Sequence, residues 1–356
     1  MMNKLCLLVS LTLSLTFSFT SHKYCLATSF YNCSTPITNE DRRANKSKWT
    51  ITQFNVEWLF TDPYKDCPGD GCSWNTTEQE YIHLHSVADV IQKLDADTIH
   101  MCEVQSCTQL RQLIDILPNS GYRAYLKKGT DTYTGQNVGL LTRVDPIAPI
   151  ERTEDKYEYP IPGNNCNYDD ASGQTGVSKH LIADFDINNK TITLIGAHLL
   201  SNPNDPTACV KREAQAQILQ NIVANVTYDN GAKQRDNNIV LLGDFNDFDH
   251  EIEDINNNQP NSRVLDILKG NDGDHSGEYR LYSVGNKTKQ SNRYTNWYDP
   301  NNDCIVETSE YSAIDHILLT DKLYGKIDDV YYYHGYDEGC DITNSDHYPI
   351  YISMTL

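Results

Sequence analysis

Positive charge is what this chain of 356 residues most lacks: 29 Lys and Arg stand against 49 Asp and Glu, a formal net charge of -20. That deficit excludes a passive nucleic-acid binder, which presents a basic face and binds by releasing counterions. It leaves room for an enzyme acting on phosphodiesters, because a bound cation can supply positive charge locally. No two cysteines have the two-residue spacing of a zinc knuckle. No internal repeat is visible, and no Pro/Ser-rich linker divides the chain into two domains. No apolar run reaches the roughly 20 residues of a good membrane span. With 39% hydrophobic residues and a mean hydropathy of -0.56, the bulk is soluble and still able to bury a core.

One apolar stretch does occur, at the start. Lys4 precedes a run from Leu5 to Phe19 that is short and rich in hydroxyls. That pattern reads as a secretory signal over residues 1–24, with an uncleaved anchor as the alternative. Residues 25–48 then form an N-terminal extension, and residues 49–356 a single domain. The expected location is secreted, extracellular or in the lumen of the secretory or endolysosomal pathway. Cysteine usage agrees. Eleven Cys become ten once Cys6 leaves with the signal, and an even remainder in an exported chain points to disulfides. Cys67–Cys72 and Cys102–Cys107 are plausible local loops. Sequons at Asn32, Asn45, Asn75, Asn189, Asn225 and Asn286 would accept glycans in a eukaryotic host.

Strand and helix patterns alternate along the rest. Strands are expected around residues 49–56, 98–104, 138–142, 181–185, 192–197, 239–242, 314–319, 330–333 and 349–354. Helices are expected at 78–94, 110–117 and 212–226, and a hairpin turn at Asn188-Asn189-Lys190. Alternation with adjacent hairpins suggests two mixed β-sheets packed together, helices outside. The stretches Tyr64 to Thr77, Glu151 to Thr175 and Glu251 to Tyr311 read as surface loops.

The chemistry gathers at strand ends. Ile239-Val240-Leu241-Leu242 is a fully buried strand, closed by Gly243 and followed by Asp244, Asn246 and Asp247. Asp244 and Asn246 sit two apart, on one side of an extended segment. Gly, Asp and Asn are also common turn formers, so alone this is as well read as a turn. Asn55 and Glu57 repeat the two-residue spacing, where a solvent-facing pair is the bland alternative. Glu103 ends an apolar strand, where it needs a salt bridge or a metal to be buried. His198 closes another strand; a satisfied, half-buried imidazole is the commoner fate of such a residue. Asp315-His316 and Asp346-His347 complete the set. A His at a loop-to-strand junction is a natural general base, and a carboxylate would set its tautomer. Neighbours in a strand face apart, so the acid for His347 is sought in Asp315, which leaves Asp346 to the substrate side or a metal.

Asn55-Val56-Glu57, Glu103, Gly196-Ala197-His198, Gly243-Asp244-Phe245-Asn246, Ile314-Asp315-His316 and Ser345-Asp346-His347 occur in the order found in the endonuclease/exonuclease/phosphatase superfamily, which the chain resembles from Trp49 to its end. The resemblance implies an α/β four-layer sandwich with the site at one edge of its two sheets. It implies a metal-dependent phosphoric ester hydrolase using Mg2+, with Mn2+ or Ca2+ as alternatives. Glu103 would be the principal ligand, with Asn55, Glu57 and Asp346 beside it. His347, held by Asp315, would be the base. Asp244 and Asn246 would position water and a phosphate oxygen, and His198 would donate to the phosphate. Lys179 and its rival His180 stand where relatives place a basic phosphate contact. Relatives often support the histidine equivalent to His198 with an acid; here Gln136-Asn137 stands in that place.

Compartment favours a nuclease acting on DNA or RNA, with no stable protein partner implied. A sphingomyelinase-like lipid phosphodiesterase or a phosphatase is the alternative. Trp297-Tyr298 or Trp74 could then face a phospholipid membrane, or equally stack on bases. A non-enzymatic domain that keeps the fold only to bind a partner is the third reading.

Overall fold

The computed structural model describes residues 32–61, 73–74, 76–166, 168, 171–229, 232–233, 238–336, 339–340 and 343–356. The signal and the expected Cys67–Cys72 loop lie outside these residues.

Eleven strands build two sheets. In the first, strands β1 (Lys48–Leu59), β2 (Thr98–Val104), β3 (Arg123–Tyr125) and β4 (Asn137–Thr142) come from the first half of the chain. The second holds β5 (Lys179–Asp186), β6 (Thr191–His198), β7 (Ile239–Asp244), β8 (Leu281–Ser283) and β9 (Asp315–Thr320). The chain then returns to the first sheet through β10 (Ile327–Tyr332) and β11 (Ile350–Thr355). The orders are β10-β11-β1-β2-β4-β3 and β8-β9-β7-β6-β5. Each sheet has one parallel pair, β1/β2 and β6/β7, with antiparallel neighbours around it.

Alternation along each strand explains the layers. On β1, Trp49 and Ile51 meet Phe185, Leu194 and Leu242 in the layer between the sheets. Phe54 and Val56, on the opposite face, pack under helices α1 (Thr77–Leu94) and α2 (Cys107–Ile116). The outer face of the second sheet carries Ile195 and Leu241 against α3 (Pro206–Thr227) and α4 (Val264–Lys269). The result is a four-layer α/β sandwich. Helix starts follow from local chemistry: Asp205 caps α3 by accepting from the Thr207 amide at 2.7 Å, with Pro206 at the first helical position. Asn188 and Asn189 turn the β5–β6 hairpin with left-handed φ of 56° and 62°.

Three expectations are corrected. Cys102 and Cys107 do not pair. Cys102 faces the layer between the sheets and is free, whereas Cys107 opens α2 on the other side and bonds Cys33. Cys166–Cys209 and Cys304–Cys340 complete the described disulfides. The stretch Glu251 to Tyr311 is not simply a loop, since it contributes α4 and edge strand β8, and Glu151 to Thr175 contains one strand of a hairpin, Lys156–Tyr159, paired with Gly173–Gly176. Residues 32–48 are docked: Asp41 bridges to Val144, and Arg42 pairs with buried Asp145. The five described sequon asparagines are all exposed.

Candidate active site

The C-terminal ends of the two parallel pairs meet across the sandwich. Asn55 points into the layer between the sheets because it shares a face with Trp49 and Ile51. Its Nδ2 donates to Glu103 Oε1 at 3.2 Å and to Asp244 Oδ2 at 3.0 Å. Strict alternation would turn Glu103 toward the helices with Ile99 and Met101. A left-handed φ of 64° turns it back, and matching kinks at Glu57 (46°) and Trp58 (47°) shift the β1/β2 register there. The Trp58 amide then holds Glu103 Oε2 at 3.0 Å.

On the second sheet, Asp244 lies directly opposite His198 on β6 and Asp315 on β9. Gly243 permits this closeness: a Cβ there would lie 1.8 Å from the Ala197 carbonyl oxygen. His198 Nε2 faces Asp244 Oδ2 at 3.6 Å and Glu103 Oε1 at 4.0 Å. His347 Nδ1 sits 2.7 Å from Asp315 Oδ2, and its Nε2 faces Asp244 Oδ2 at 3.9 Å. Ser345 pins this segment to β1, donating to the Asn55 carbonyl and accepting from the His347 amide. The Asp346 amide donates to Glu57 Oε2, and its half-exposed carboxylate lies 4.0 Å from His347 Nε2. Asp346 and His347 precede β11 and share one cleft, so strand alternation does not separate them.

The two imidazoles differ. Burial would depress His347, but Asp315, Asp346 and Asp244 outweigh it and hold it well above the ordinary value. Burial, helped by Lys179 and His347, holds His198 well below it. His198 Nδ1 has no hydrogen-bond partner among the described residues. Gln136 and Asn137 do not fill that role: Gln136 accepts from Lys179, and Asn137 binds backbone groups. Among the acids, burial and then Asp315 push Asp244 up to about 7. Burial, Asp346 and Glu103 push Glu57 up to about 8.

Several expected roles change. Asn55 is a strut between two acids rather than a ligand: its nitrogen faces both carboxylates, and its oxygen receives the Glu57 amide. Asn246 is not extended beside Asp244. Its φ of 51° makes a turn in which its amide binds Asp244 Oδ1 and its side chain donates to the Leu199 carbonyl. His180 is structural, buried on the opposite face of β5, with Nδ1 on the Val177 carbonyl and Nε2 accepting from the Thr153 amide. Lys179, in register with His198, lies beside Gln136 and Asp131. Trp297 and Trp74 are buried, one donating to Glu310 and the other stacked on His83, whereas Tyr298, beside Trp297, is 68% exposed and remains able to make a surface contact.

One contributor was hidden in an ordinary helix pattern. Arg212, fully buried on α3, binds Asp247 Oδ2 at 3.1 Å and the carbonyls of Leu200, Ser201, Asn202 and Pro203. It thereby ties the segment after His198 to the segment after Asp244. Its place at the start of a buried stripe was the only signal.

A divalent cation fits this donor set. Glu57, Glu103 and Asp346 are hard oxygen donors with no Lys or Arg paired to them among the described residues, and burial, with Asp346 and Glu103 beside it, raises Glu57. The grouping in the cleft whose ligand atoms all lie within 4.8 Å of one another is, however, Asp244, Asp315 and His347, not Glu57, Glu103 and Asp346. There Asp315 and His347 Nδ1 are spent on each other.

The chain is a two-sheet sandwich with acids and imidazoles converging at the strand ends. More particularly, this is the endonuclease/exonuclease/phosphatase fold. An endonuclease/exonuclease/phosphatase family protein from Leptotrichia buccalis superposes with a TM-score of 0.52 at 15% identity, covering 86% of this chain and 100% of the other. One from Bacteroides vulgatus gives 0.51 at 17%, covering 87% and 99%. D. rerio TDP2, solved with a single strand DNA product, gives 0.50 at 17%, covering 86% and 98%. No family model and no curated protein matches the sequence.

Proposed function

We propose that the chain is a secreted, metal-dependent phosphodiesterase that hydrolyses DNA or RNA, with residues 1–24 as its export signal and 49–356 as the catalytic domain. The observation that carries this reading is the His347–Asp315 pair, 2.7 Å apart, set against Asp244 and an acid cluster without basic partners. In its neutral form, which cation binding to the surrounding acids would favour by offsetting their negative charge, His347 keeps Nδ1–H on Asp315 and presents Nε2 to take a proton from an attacking water. The surrounding carboxylates stabilise the imidazolium that results. Asp244 orients that water. His198, kept neutral, donates from Nε2 to a phosphate oxygen as phosphorus becomes five-coordinate, and Lys179 adds charge beside it. Glu103, Glu57 and Asp346 would hold Mg2+, with Mn2+ or Ca2+ as substitutes, and the ion would neutralise charge on the phosphate.

Three disulfides fit an oxidising compartment. No helix among the described residues is long and apolar enough to cross a membrane. The likeness to a structure holding a single strand DNA product supports a nucleic-acid substrate; Tyr298, exposed beside buried Trp297, is compatible with either a base or a lipid contact. The test incubates the protein with plasmid, RNA and sphingomyelin vesicles, each with Mg2+ and with EDTA. Nucleic-acid cleavage that EDTA abolishes is expected. Intact plasmid and RNA under Mg2+, Mn2+ and Ca2+ alike would overturn the proposal.

A further inference from the structure

Behind the His347–Asp315 pair lies another imidazole that the reaction leaves untouched. His100, on β2, shares the inward face with Cys102 and is fully buried. Its Nδ1 lies 2.5 Å from Gln53 Oε1. Gln53, from β1, donates through Nε2 to Asp315 Oδ1 at 3.1 Å and lies 3.5 Å from Cys102 Sγ. The second oxygen of Asp315 is the one on His347. A chain of four side chains, His100–Gln53–Asp315–His347, therefore runs from one sheet to the other.

Its polarity is fixed at the acid end. The Asp315 carboxylate accepts only, so Gln53 turns its amide nitrogen toward it and its oxygen toward His100. His100 must then carry its proton on Nδ1. That leaves Nε2 as a buried acceptor, and it has no partner among the described residues. An unpaired buried acceptor is costly, and the fold is shaped to keep this one. A Cβ at Gly196 would come within 2.2 Å of His100 Nε2, so only glycine gives the ring its seat. Apolar side chains would fill the space between the sheets more cheaply. What they could not do is hand a donor to Asp315.

We infer that His100 and Gln53 are positioning residues: they fix the Asp315 carboxylate, and through it the tautomer and aim of His347. This rests on the hydrolase reading above. Gln53→Met keeps the volume and removes the donor. On a single-stranded DNA oligonucleotide with Mg2+, it should lower kcat about tenfold or more and leave KM within about twofold. The loss should vanish in a His347→Ala background, because the interaction acts only through that ring. His100→Gln, which retains a donor, should keep more activity than His100→Leu. Independently of turnover, the downfield proton resonance of the His347 Nδ1–H should move in Gln53→Met. An equal loss of kcat in both backgrounds, or an unmoved resonance, would overturn the inference. A wild-type protein that cleaves nothing would sink the hydrolase reading, and the resonance alone would then decide this one.

Discussion

Buried carboxylates in this protein live in two kinds of surroundings. Asp145 receives the Arg42 guanidinium, the Thr38 hydroxyl and the Tyr125 hydroxyl, and Asp249 receives the Lys269 ammonium at 2.8 Å. Burial would raise both acids, but the cation beside each overrides it and holds them below the usual carboxylate range. At the strand ends, buried Asp244 and half-buried Glu57 go the other way, to about 7 and about 8. Neither has a Lys or Arg paired to it among the described residues, although pairing alone does not set the direction, since Asp247 is raised despite Arg212. Acids of raised pKa gathered in one cleft are candidates for a functional site.

The sharpest way to break this contrast is at the imidazole that serves the unpaired acids. His347→Ala should cut turnover at least about a hundredfold with folding intact, as general-base losses run at roughly 10²–10⁴. Near-normal turnover with unchanged circular dichroism would refute its role. The paired region is tested by stability instead. Asp145→Asn should cost about 1–2 kcal/mol at pH 6, because half-buried Arg42 loses its buried carboxylate and keeps only exposed Glu40 and the Gly121 carbonyl. The sign follows from the depressed value: wild-type stability from this pair is full above about 3.8 and is lost as pH falls toward the folded-state value. The gap between the urea midpoints of wild type and variant should therefore be constant above about pH 5 and narrow steadily as pH falls below about 4, and a gap that does not narrow on acidification would contradict the pairing.

The smallest effect sharpens the comparison. Folded Glu57 holds its proton to about 8 and the unfolded chain releases it near 4.5, so metal-free wild type loses stability as pH climbs through that window. Glu57→Gln mimics the protonated form. In EDTA it should melt a few degrees above wild type at pH 8 and level with it at pH 4.5, while added Mg2+ should raise wild type more than the variant. Equal melting at pH 8 would mean that Glu57 is not under repulsion.

Much of the fold was legible because its strands are buried on both faces. The expected strand at 98–104 matches β2 residue for residue, and Asn188-Asn189 announced their turn. Three-residue strands such as Arg123–Tyr125 carry too little pattern to be seen. The convergence of Glu103, Asp244, Asp315 and His347 could be anticipated from their order. What alternation could not supply were the left-handed residues. Glu103 reaches the cleft, and Asn246 turns aside from it, through single positive φ angles that hydrophobic patterning does not encode. Likewise Lys179 and His180 look interchangeable on paper, yet one step along β5 sends them to opposite faces. Cysteine partners depend on which layer each thiol enters, which is why Cys107 found Cys33 across a separation of 74 residues.

The bond between Cys304 and Cys340 closes a covalent ring. Starting at one sulfur, the backbone runs through Asp315, across β9, β10 and the approach to β11, and back past neither His347 nor its neighbours before reaching the other. The acid of the dyad is thus inside the loop and the base just beyond its knot. Reductants that spare the rest of the molecule would loosen the tether on that approach without touching the hydrogen bond itself, so catalysis and thermal endurance need not fail together when the medium turns reducing.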